Sequence, residues 1–275
     1  MPHVIHATDL SGGDEPAFLH ALALALVHRA RLTLIHAGDP GEGPVDWSRF
    51  PGVRPRLAAW GLLREGADKH EVAEALGIHV RKVAAAGRDP VAVIQEAMAQ
   101  HPADVLVLGH DRSGGLWPFA RRSVSGELAR AALVPTLVIP GDLTGFVSPA
   151  DGSLRIERVL VPVDDTPDPR HALHTAGALL RDMATPGCTV ELFHAGDRAA
   201  APQVTEADVP GAVITRRSEP GDPPTEILRR AGEMQPDVIV MAAEGKRSLV
   251  DRFYGTVTEQ VLRLSPSPVL AVPAA

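Results

Sequence analysis

The sequence predicts an α/β protein with two tandem domains, each a five-stranded, mostly parallel sheet with helices on both faces. The length of 275 residues suits two domains of ordinary size. Short apolar runs of four to six residues alternate with helical patterns along the whole chain, as in parallel sheets whose strands are joined by helices. The same order of segments also occurs twice, which indicates an internal repeat.

Each half begins with a short apolar strand that ends in Asp. These strands are Val4–Asp9 and Arg158–Asp164. A turn-rich stretch follows each of them, and an apolar-periodic helix comes next, over Pro16–Val27 and Pro169–Met183. The two halves therefore start with the same strand–turn–helix unit.

The second strand of each half ends in His-Ala and continues into Gly-Asp. These strands are Arg31–Ala37 and Cys188–Ala195. The later segments also match in pairs, which are the helices Val91–Gln100 and Thr225–Gln235, the strands Asp104–Gly109 and Asp237–Ala242, and the strands Val134–Pro140 and Ser267–Pro273. Gly, Asp and Pro precede both helices, as is typical of a helix start.

A segment rich in Gly, Pro, Ser and Asp, Gly141–Ser153, is interpreted as the linker. It places the domains at residues 1–142 and 154–275. The halves differ between their second and third strands, where the first half has Asp39–Gly77 with a predicted helix over Arg54–Leu76. The second half has only Gly196–Gly211 there, without a helical pattern, so we expect it to have lost one helix.

Composition narrows the choice of partners and compartment. A formal net charge of -7 gives no electrostatic attraction for nucleic acid or for an anionic membrane. The single cysteine, Cys188, excludes an intrachain disulfide and is expected to be a buried, inert thiol. No signal peptide and no membrane-length apolar stretch is apparent, so a cytoplasmic location is expected.

A spaced glycine pattern follows the fourth strand of the second half, where the sequence reads Ala242-Ala-Glu-Gly245, nine residues, then Gly255-Thr256. The chain resembles the universal stress protein family, whose ATP-binding members carry Gly-x-x-Gly, nine residues, then Gly-Ser/Thr. The resemblance covers nearly the whole chain, twice. It implies Rossmann-like domains of the adenine nucleotide alpha hydrolase-like type. It also implies a nucleotide-binding protein of stress response or regulation that takes ATP or AMP, with Mg²⁺ held through the phosphates.

General physics supports a phosphate site in that loop. Ligands of parallel α/β sheets bind outside the carboxyl ends of the strands. Glycines let backbone N–H groups approach phosphate oxygens, and a helix N-terminus adds free N–H donors. Thr256 can offer a hydroxyl to the same phosphates, but Thr256-Val-Thr-Glu259 also fits a capping box, which would make Thr256 an N-cap.

The resemblance places adenosine near Asp164 and the backbone of Ala195. An alternative role for Asp164 is to organise the turn into the next helix. The predicted nucleotide-binding residues of the second half are Pro162, Val163, Asp164, Ala195, Ala242, Gly245, Gly255, Thr256 and Val257.

The first half departs from this pattern. It reads Gly109-His-Asp-Arg112, nine residues, then Arg122-Ser123, so two glycines are replaced by arginines. The side chain of Arg122 should obstruct contact between backbone and phosphate, and we favour a degenerate site; the alternative is that a guanidinium binds the phosphate. The weaker candidate residues of this half are Asp9, Ala37, Gly109, Arg112, Arg122 and Ser123. One nucleotide per chain is therefore expected.

Catalysis has little support in the sequence. The second-half loop carries no Walker lysine, nucleophile or convincing general base, so fast turnover is not expected, and slow ATP hydrolysis stays open with Glu244 and Lys246 as candidates. An enzyme of the ATP-pyrophosphatase type is a further alternative, because Ser11-Gly-Gly-Asp14 is similar to the loop of that group. A third alternative is a scaffold or interaction protein that binds no nucleotide.

Metal binding and protein partners are the remaining questions that single features of the sequence address. His171 and His174 lie one helical turn apart, but they have no third ligand in the sequence, so no metal site is predicted. The last strands of the halves, Thr136–Ile139 and Pro268–Val272, can pair within one chain and so cover two exposed edges. The protein partner of a regulatory function stays unknown, and a further homodimer stays open.

Overall fold

The computed structural model of the chain describes residues 1–38, 45–110, 124–203, 212–243 and 257–274. Contacts divide the chain into two compact units. The first comprises Met1–Leu128 and Gly141–Leu154, and the second comprises Ala129–Pro140 and Arg155–Ala275. Each unit has an open, mostly parallel sheet with connecting helices, which confirms the predicted α/β fold class. The domain limits 1–142 and 154–275 stay a prediction.

The described residues of the first unit form four parallel strands. In chain order they are β1 (His3–Ala7), β2 (Arg31–Gly38), β3 (His79–Ala86) and β4 (Val105–His110). Their spatial order is β3-β2-β1-β4. The chain thus moves outward from β1 to β3 and then returns to the other side of β1, so the direction of winding reverses between β1 and β4.

One buried helix forms the centre of this unit. The helices are α1 (Glu15–Val27), α2 (Val53–Ala59), α3 (Lys69–Leu76), α4 (Pro90–Gln100) and α5 (Val124–Ala131). Every residue of α1 from Ala17 to Ala25 is buried, and the helix packs on β1, β2 and β4. A helix that is apolar on all sides is typical of such an enclosed position.

The single helix predicted over Arg54–Leu76 is wrong, because the structure has two short helices, α2 and α3, there. Gly61 and Gly66 lie between them with φ near +72° and +73°, a left-handed backbone that an α-helix cannot contain. Asp68 then starts α3 with a capping box, in which its carboxylate accepts from the backbone of Glu71. The two glycines and the Asp-x-x-Glu spacing were the signals for the break.

Six strands are formed by the part of the second unit that the structure describes. They are β5 (Thr136–Pro140), β6 (Ile156–Pro162), β7 (Ala184–Ala195), β8 (Val213–Glu219), β9 (Val238–Ala243) and β10 (Val269–Pro273), in the spatial order β5-β10-β9-β6-β7-β8. Neighbours are parallel except β5 and β10, where Val138 lies opposite Val269 in an antiparallel pair. The expected pairing of the two last strands within one chain is confirmed.

Three helices accompany this sheet, namely α6 (Arg170–Leu180), α7 (Pro223–Met234) and α8 (Val257–Leu264). Between β7 and β8, the described residues contain a single turn of 3₁₀-helix, Arg198–Ala200, and no α-helix. Helix α7 is fixed to β7 by a bidentate ion pair in which Arg230 donates to both carboxylate oxygens of Glu191, at 2.6 and 2.7 Å. The expected loss of a helix in this half stays a prediction.

The segment interpreted as a linker is packed into the first unit rather than open to solvent. Phe146 and Val147 are 5% and 1% exposed. The backbone N–H of Phe146 donates to Nε2 of His20 in α1, at 3.1 Å, and the indole N–H of Trp60 donates to the carbonyl of Pro149, at 3.1 Å. Its composition indicated an irregular backbone correctly, but irregular backbone can still be buried when its polar groups find partners.

Cys188 lies inside β7, which begins four residues earlier than predicted, and its side chain is buried. Burial raises the pKa of this thiol to about 11. At pH 8 we therefore expect a disulfide-exchange reagent to label the native protein roughly a hundredfold more slowly than the urea-unfolded chain, because the thiolate is the reacting form. Equal rates in the two states would contradict this expectation.

Candidate functional site

The strand order of each unit reverses between two of its central strands. This happens between β1 and β4 in the first unit and between β6 and β9 in the second. The loops that leave two such strands run in opposite directions, so a crevice opens outside their carboxyl ends, where open α/β sheets bind ligands. Asp9 lies two residues after the end of β1, and Asp164 lies two residues after the end of β6.

A cleft of about 980 Å³ opens at this place in the first unit. Three of the predicted residues of this half, Asp9, Ala37 and Gly109, line it together, as do Asp14 and Asp142. Its size lies in the range of pockets that bind small molecules and cofactors. The structure thus brings the described candidates of this half to one cavity.

The two Asp residues hold their own turns. Oδ1 of Asp9 accepts from the backbone N–H of Ser11 at 2.7 Å, and Oδ1 of Asp164 accepts from the backbone N–H of Asp165 at 2.8 Å. Both side chains are exposed. The turn-organising role considered for Asp164 therefore has a contact behind it, and each carboxylate is at the same time presented to solvent at the sheet edge.

The histidine that ends the second strand of each half supports the Asp-bearing turn. Nδ1 of His36 donates to the carbonyl of Thr8 at 2.9 Å, and Nδ1 of His194 donates to the carbonyl of Val163 at 3.1 Å. A Cβ on Gly196 would lie 2.5 Å from Nε2 of His194, so the glycine after His-Ala makes room for the ring. The repeated His-Ala-Gly was the sequence signal for this role, which sequence reasoning missed.

A buried imidazole–carboxylate pair lies beneath the first-unit cleft. Nε2 of His6 is 3.2 Å from Oδ2 of Asp14, and the two residues are 0% and 7% exposed. Nδ1 of His6 is 3.1 Å from the carbonyl of Val107, which can only accept, so this nitrogen carries a hydrogen. Neither of these two atoms has a hydrogen-bond partner among the described residues, so they approach closely without the alignment of a hydrogen bond.

This pair explains Gly109, which we had assigned to ligand binding. A Cβ at residue 109 would lie 2.2 Å from Oδ1 of Asp14, so the carboxyl group occupies the space that the glycine leaves. The second half has Val161, Pro169 and Ala242 at the three corresponding positions. The buried pair and its glycine therefore belong to the first half alone.

The second-half candidates that the structure describes lie at the carboxyl ends of adjacent strands. Pro162 ends β6, and the N–H of Val163 prolongs its ladder to the carbonyl of Phe193 at 2.8 Å. Ala195 ends β7, Ala242 is next to last in β9, and Val257 begins α8. The other candidates lie outside the described residues, namely Arg112, Arg122, Ser123, Gly245, Gly255 and Thr256, as do Glu244 and Lys246.

Metal and membrane sites have no support in the described structure. His171 and His174 are both exposed on α6, and no group of three His, Cys, Asp or Glu side chains among the described residues could hold a metal ion. A search of the same residues finds no helix with the length and apolar character needed to span a membrane.

Comparison with known proteins identifies similar chains. The sequence profile described as "Universal stress protein family" matches residues 1–140 and 195–273. A universal stress protein from Archaeoglobus fulgidus DSM 4304 is 20% identical, with a TM-score of 0.64 over 99% of this chain and 96% of its own. A functionally unknown protein from Pseudomonas aeruginosa PAO1 is 15% identical, with a TM-score of 0.61 over 100% and 93%. No curated protein matches the sequence. At these identities the structural likeness concerns the fold.

Proposed function

Because the chain belongs to the universal stress protein family as a tandem member, we propose that it binds an adenine nucleotide, ATP or AMP, chiefly in its second half. The observation that carries the proposal is the reversal of strand order between β6 and β9, with Asp164 following one strand and Ala242 near the end of the other. Crevices of this kind are where open α/β sheets take nucleotides. The same reversal in the first unit accompanies a cleft of about 980 Å³, which supports a pocket at the equivalent edge.

The second half suits phosphate better than the first. In the first half, the carboxyl group of Asp14 packs against Gly109, so an oxygen-rich side chain covers backbone that a phosphate would need. In the second half, proline and alanine stand at the equivalent positions, and the sequence continues to Gly245 and Gly255. Bare backbone N–H groups and the start of α8 would then contact the phosphates.

The roles of individual residues follow from their chemistry. Asp164 would accept hydrogen bonds from the ribose or the base, and the backbone of Ala195 would border the adenosine. Thr256 would donate its hydroxyl to phosphate, and Mg²⁺ would supply positive charge to the phosphate oxygens. Occupancy would favour one conformation of segment 243–254 and so change the affinity for a protein partner, which is the regulatory function we propose.

The direct test is mass spectrometry of any ligand released from freshly purified full-length protein, followed by calorimetric titration with ATP and Mg²⁺. We expect an adenine nucleotide and a stoichiometry of one per chain. Absence of nucleotide, with no thermal shift on adding ATP and Mg²⁺, would favour the scaffold alternative. Release of AMP and pyrophosphate in the presence of an acceptor would instead favour the enzyme alternative.

A matched pair of variants locates the site. We expect Asp164→Ala to weaken ATP binding about tenfold, the usual effect of losing a hydrogen bond to a charged group, while Asp9→Ala leaves affinity unchanged. Gly255→Arg, which copies the first half, should abolish binding. Two equal tight sites, or a loss confined to Asp9→Ala, would contradict the assignment to the second half.

A further inference from the structure

A second cleft of about 530 Å³ opens in the first unit, on the other side of the turn that joins β1 to α1. One wall is formed by this turn and the first residues of α1. The other wall is formed by residues 49–59, which include α2. Residues 49–59 belong to the longer connection that the first half has between its second and third strands. This cleft is therefore built by the extra segment of the first half.

One arginine of this cleft has no side-chain partner in its wall. Two guanidinium groups, those of Arg49 and Arg56, and two carboxylates, those of Glu15 and Asp14, line the cleft. Arg56 is paired with Glu15 and also donates to a backbone carbonyl, so it is committed to the wall. Oδ2 of Asp14 lies 3.2 Å from Nε2 of the buried His6. Arg49 is the charged lining residue for which the described residues give no ion pair.

Arg49 is placed to meet a ligand. Its side chain is exposed, and within the described residues this side chain makes no hydrogen bond and no ion pair. The carboxylate of Asp46, with which Arg49 interacts through charge, lies outside the cleft lining. A guanidinium presents two parallel N–H donors that match the two oxygens of a carboxylate. The described geometry therefore offers one forked donor to an incoming anion.

The uncharged lining of the cleft is mainly apolar, although the hydroxyl groups of Thr8 and Ser11 also contribute. Phe18, which is 3% exposed, lines it together with Leu10, Pro51, Pro55 and Ala59. Leu10 has a left-handed backbone with φ of 63°, which is costly for a leucine, and its N–H is held by the hydroxyl of Thr8 at 3.0 Å. The fold thus keeps an apolar side chain at the cleft in spite of an unfavourable backbone conformation.

The neighbouring cleft at the strand ends has the opposite character. Asp9 and Asp142 line that cleft, and none of its described lining residues is Lys or Arg. The two clefts share the wall formed by Thr8, Ser11 and Asp14. Among the described residues, arginines line the 530 Å³ cleft and not its neighbour, which suits the two cavities to different ligands.

We propose that the 530 Å³ cleft binds a small monocarboxylate with an apolar body. The carboxylate pairs with Arg49, and the apolar part contacts Phe18 and the prolines. The one forked donor, that of Arg49, matches one carboxylate, whereas a dianionic phosphate would add more negative charge beside Glu15 and Asp14. The volume admits a ligand of the size of phenylacetate. The proposal does not depend on nucleotide binding in the second half.

The test is calorimetric titration of the full chain with phenylacetate and hexanoate at low salt, compared with phenylacetamide and phenyl phosphate. We expect saturable binding of both carboxylates at one per chain, with the amide and the phosphate each about tenfold weaker or more. No saturable binding of either carboxylate would overturn the proposal. Equal binding of the amide, or tighter binding of the phosphate, would overturn it as well.

A variant and its control locate the site. Arg49→Gln should weaken phenylacetate binding about tenfold, while Arg31→Gln, an equally exposed arginine at the opposite end of β2, should leave it unchanged. Ala59→Met, which fills the cleft from α2, should weaken both carboxylates without removing a charge. Unchanged affinity in both Arg49→Gln and Ala59→Met would place the binding elsewhere and overturn the proposal.

Discussion

Replacing His6 by valine should lower the free energy of unfolding by about 4 kcal/mol, because it leaves the carboxyl group of Asp14 buried without its partner. Valine suits the strand itself, since Val161 occupies the equivalent position of the second half. The expected loss therefore comes from the broken pair rather than from a misfit in β1. Urea unfolding followed by circular dichroism measures it.

The double variant His6→Val/Asp14→Ala separates the pair from its surroundings. Removing both polar groups takes away the uncompensated carboxyl, so the double variant should recover most of the stability lost in the single one. A smaller cost remains, because the hydrogen bond from His6 to the carbonyl of Val107 is still absent. Strictly additive effects of the two substitutions would show that the two side chains do not interact as described.

The repeat made the fold predictable, because each strand could be recognised twice. The strands ending at Asp9 and Asp164, and those ending in His36-Ala and His194-Ala, were found by their matching order. Pairing of β5 with β10 also followed, since two apolar last strands would otherwise leave exposed edges. The ends of helices and strands were predicted less accurately, since β7 begins at Ala184 and was predicted to begin at Cys188.

Contacts between distant residues were beyond sequence reasoning. His20 and Phe146 are 126 positions apart, and nothing in either segment indicates that they meet. Gly109 shows a second difficulty, since a glycine needed for a neighbouring carboxyl looks the same in sequence as a glycine needed for a phosphate. Comparison of the two halves resolves this case, because Asp14 and Gly109 are replaced together, by Pro169 and Ala242.

The described candidates of the first half, Asp9, Ala37 and Gly109, were selected by matching the halves to each other and to the family pattern. The structure brings these three residues to one cleft. The second cleft could not be predicted, because it requires the break between α2 and α3 and the position of Arg49 against α1. Such a cavity depends on how two connections pack, which local patterns do not report.

Acid should destabilise the first unit through His20. Nδ1 of this fully buried ring donates to the carbonyl of Pro16 at 2.6 Å, and Nε2 accepts from the backbone N–H of Phe146 at 3.1 Å. The neutral ring is thus satisfied at both nitrogens, and burial lowers its pKa from 6.5 to about 4. A proton on Nε2 would remove the bond to Phe146 and place a charge in the core.

The direction of the pH effect follows from the two pKa values. Between pH 6.5 and pH 4 the unfolded chain binds a proton at His20 and the native protein does not, so stability falls as the pH falls. The contribution of His20 is complete above pH 6.5, and about 3 kcal/mol of it should be lost by pH 4. Urea unfolding at pH values between 7 and 4 measures the loss.

A glutamine at position 20 provides the test, because its amide can donate to Pro16 and accept from Phe146 but does not titrate in this range. Between pH 6.5 and pH 4, His20→Gln should therefore lose less stability than the native protein does. The exposed control His70→Gln should lose as much stability as the native protein. Burial also lowers the pKa of His3, so the difference between variants, rather than the total acid effect, isolates His20. The same acid-induced loss in His20→Gln and native protein would exclude His20 as its source.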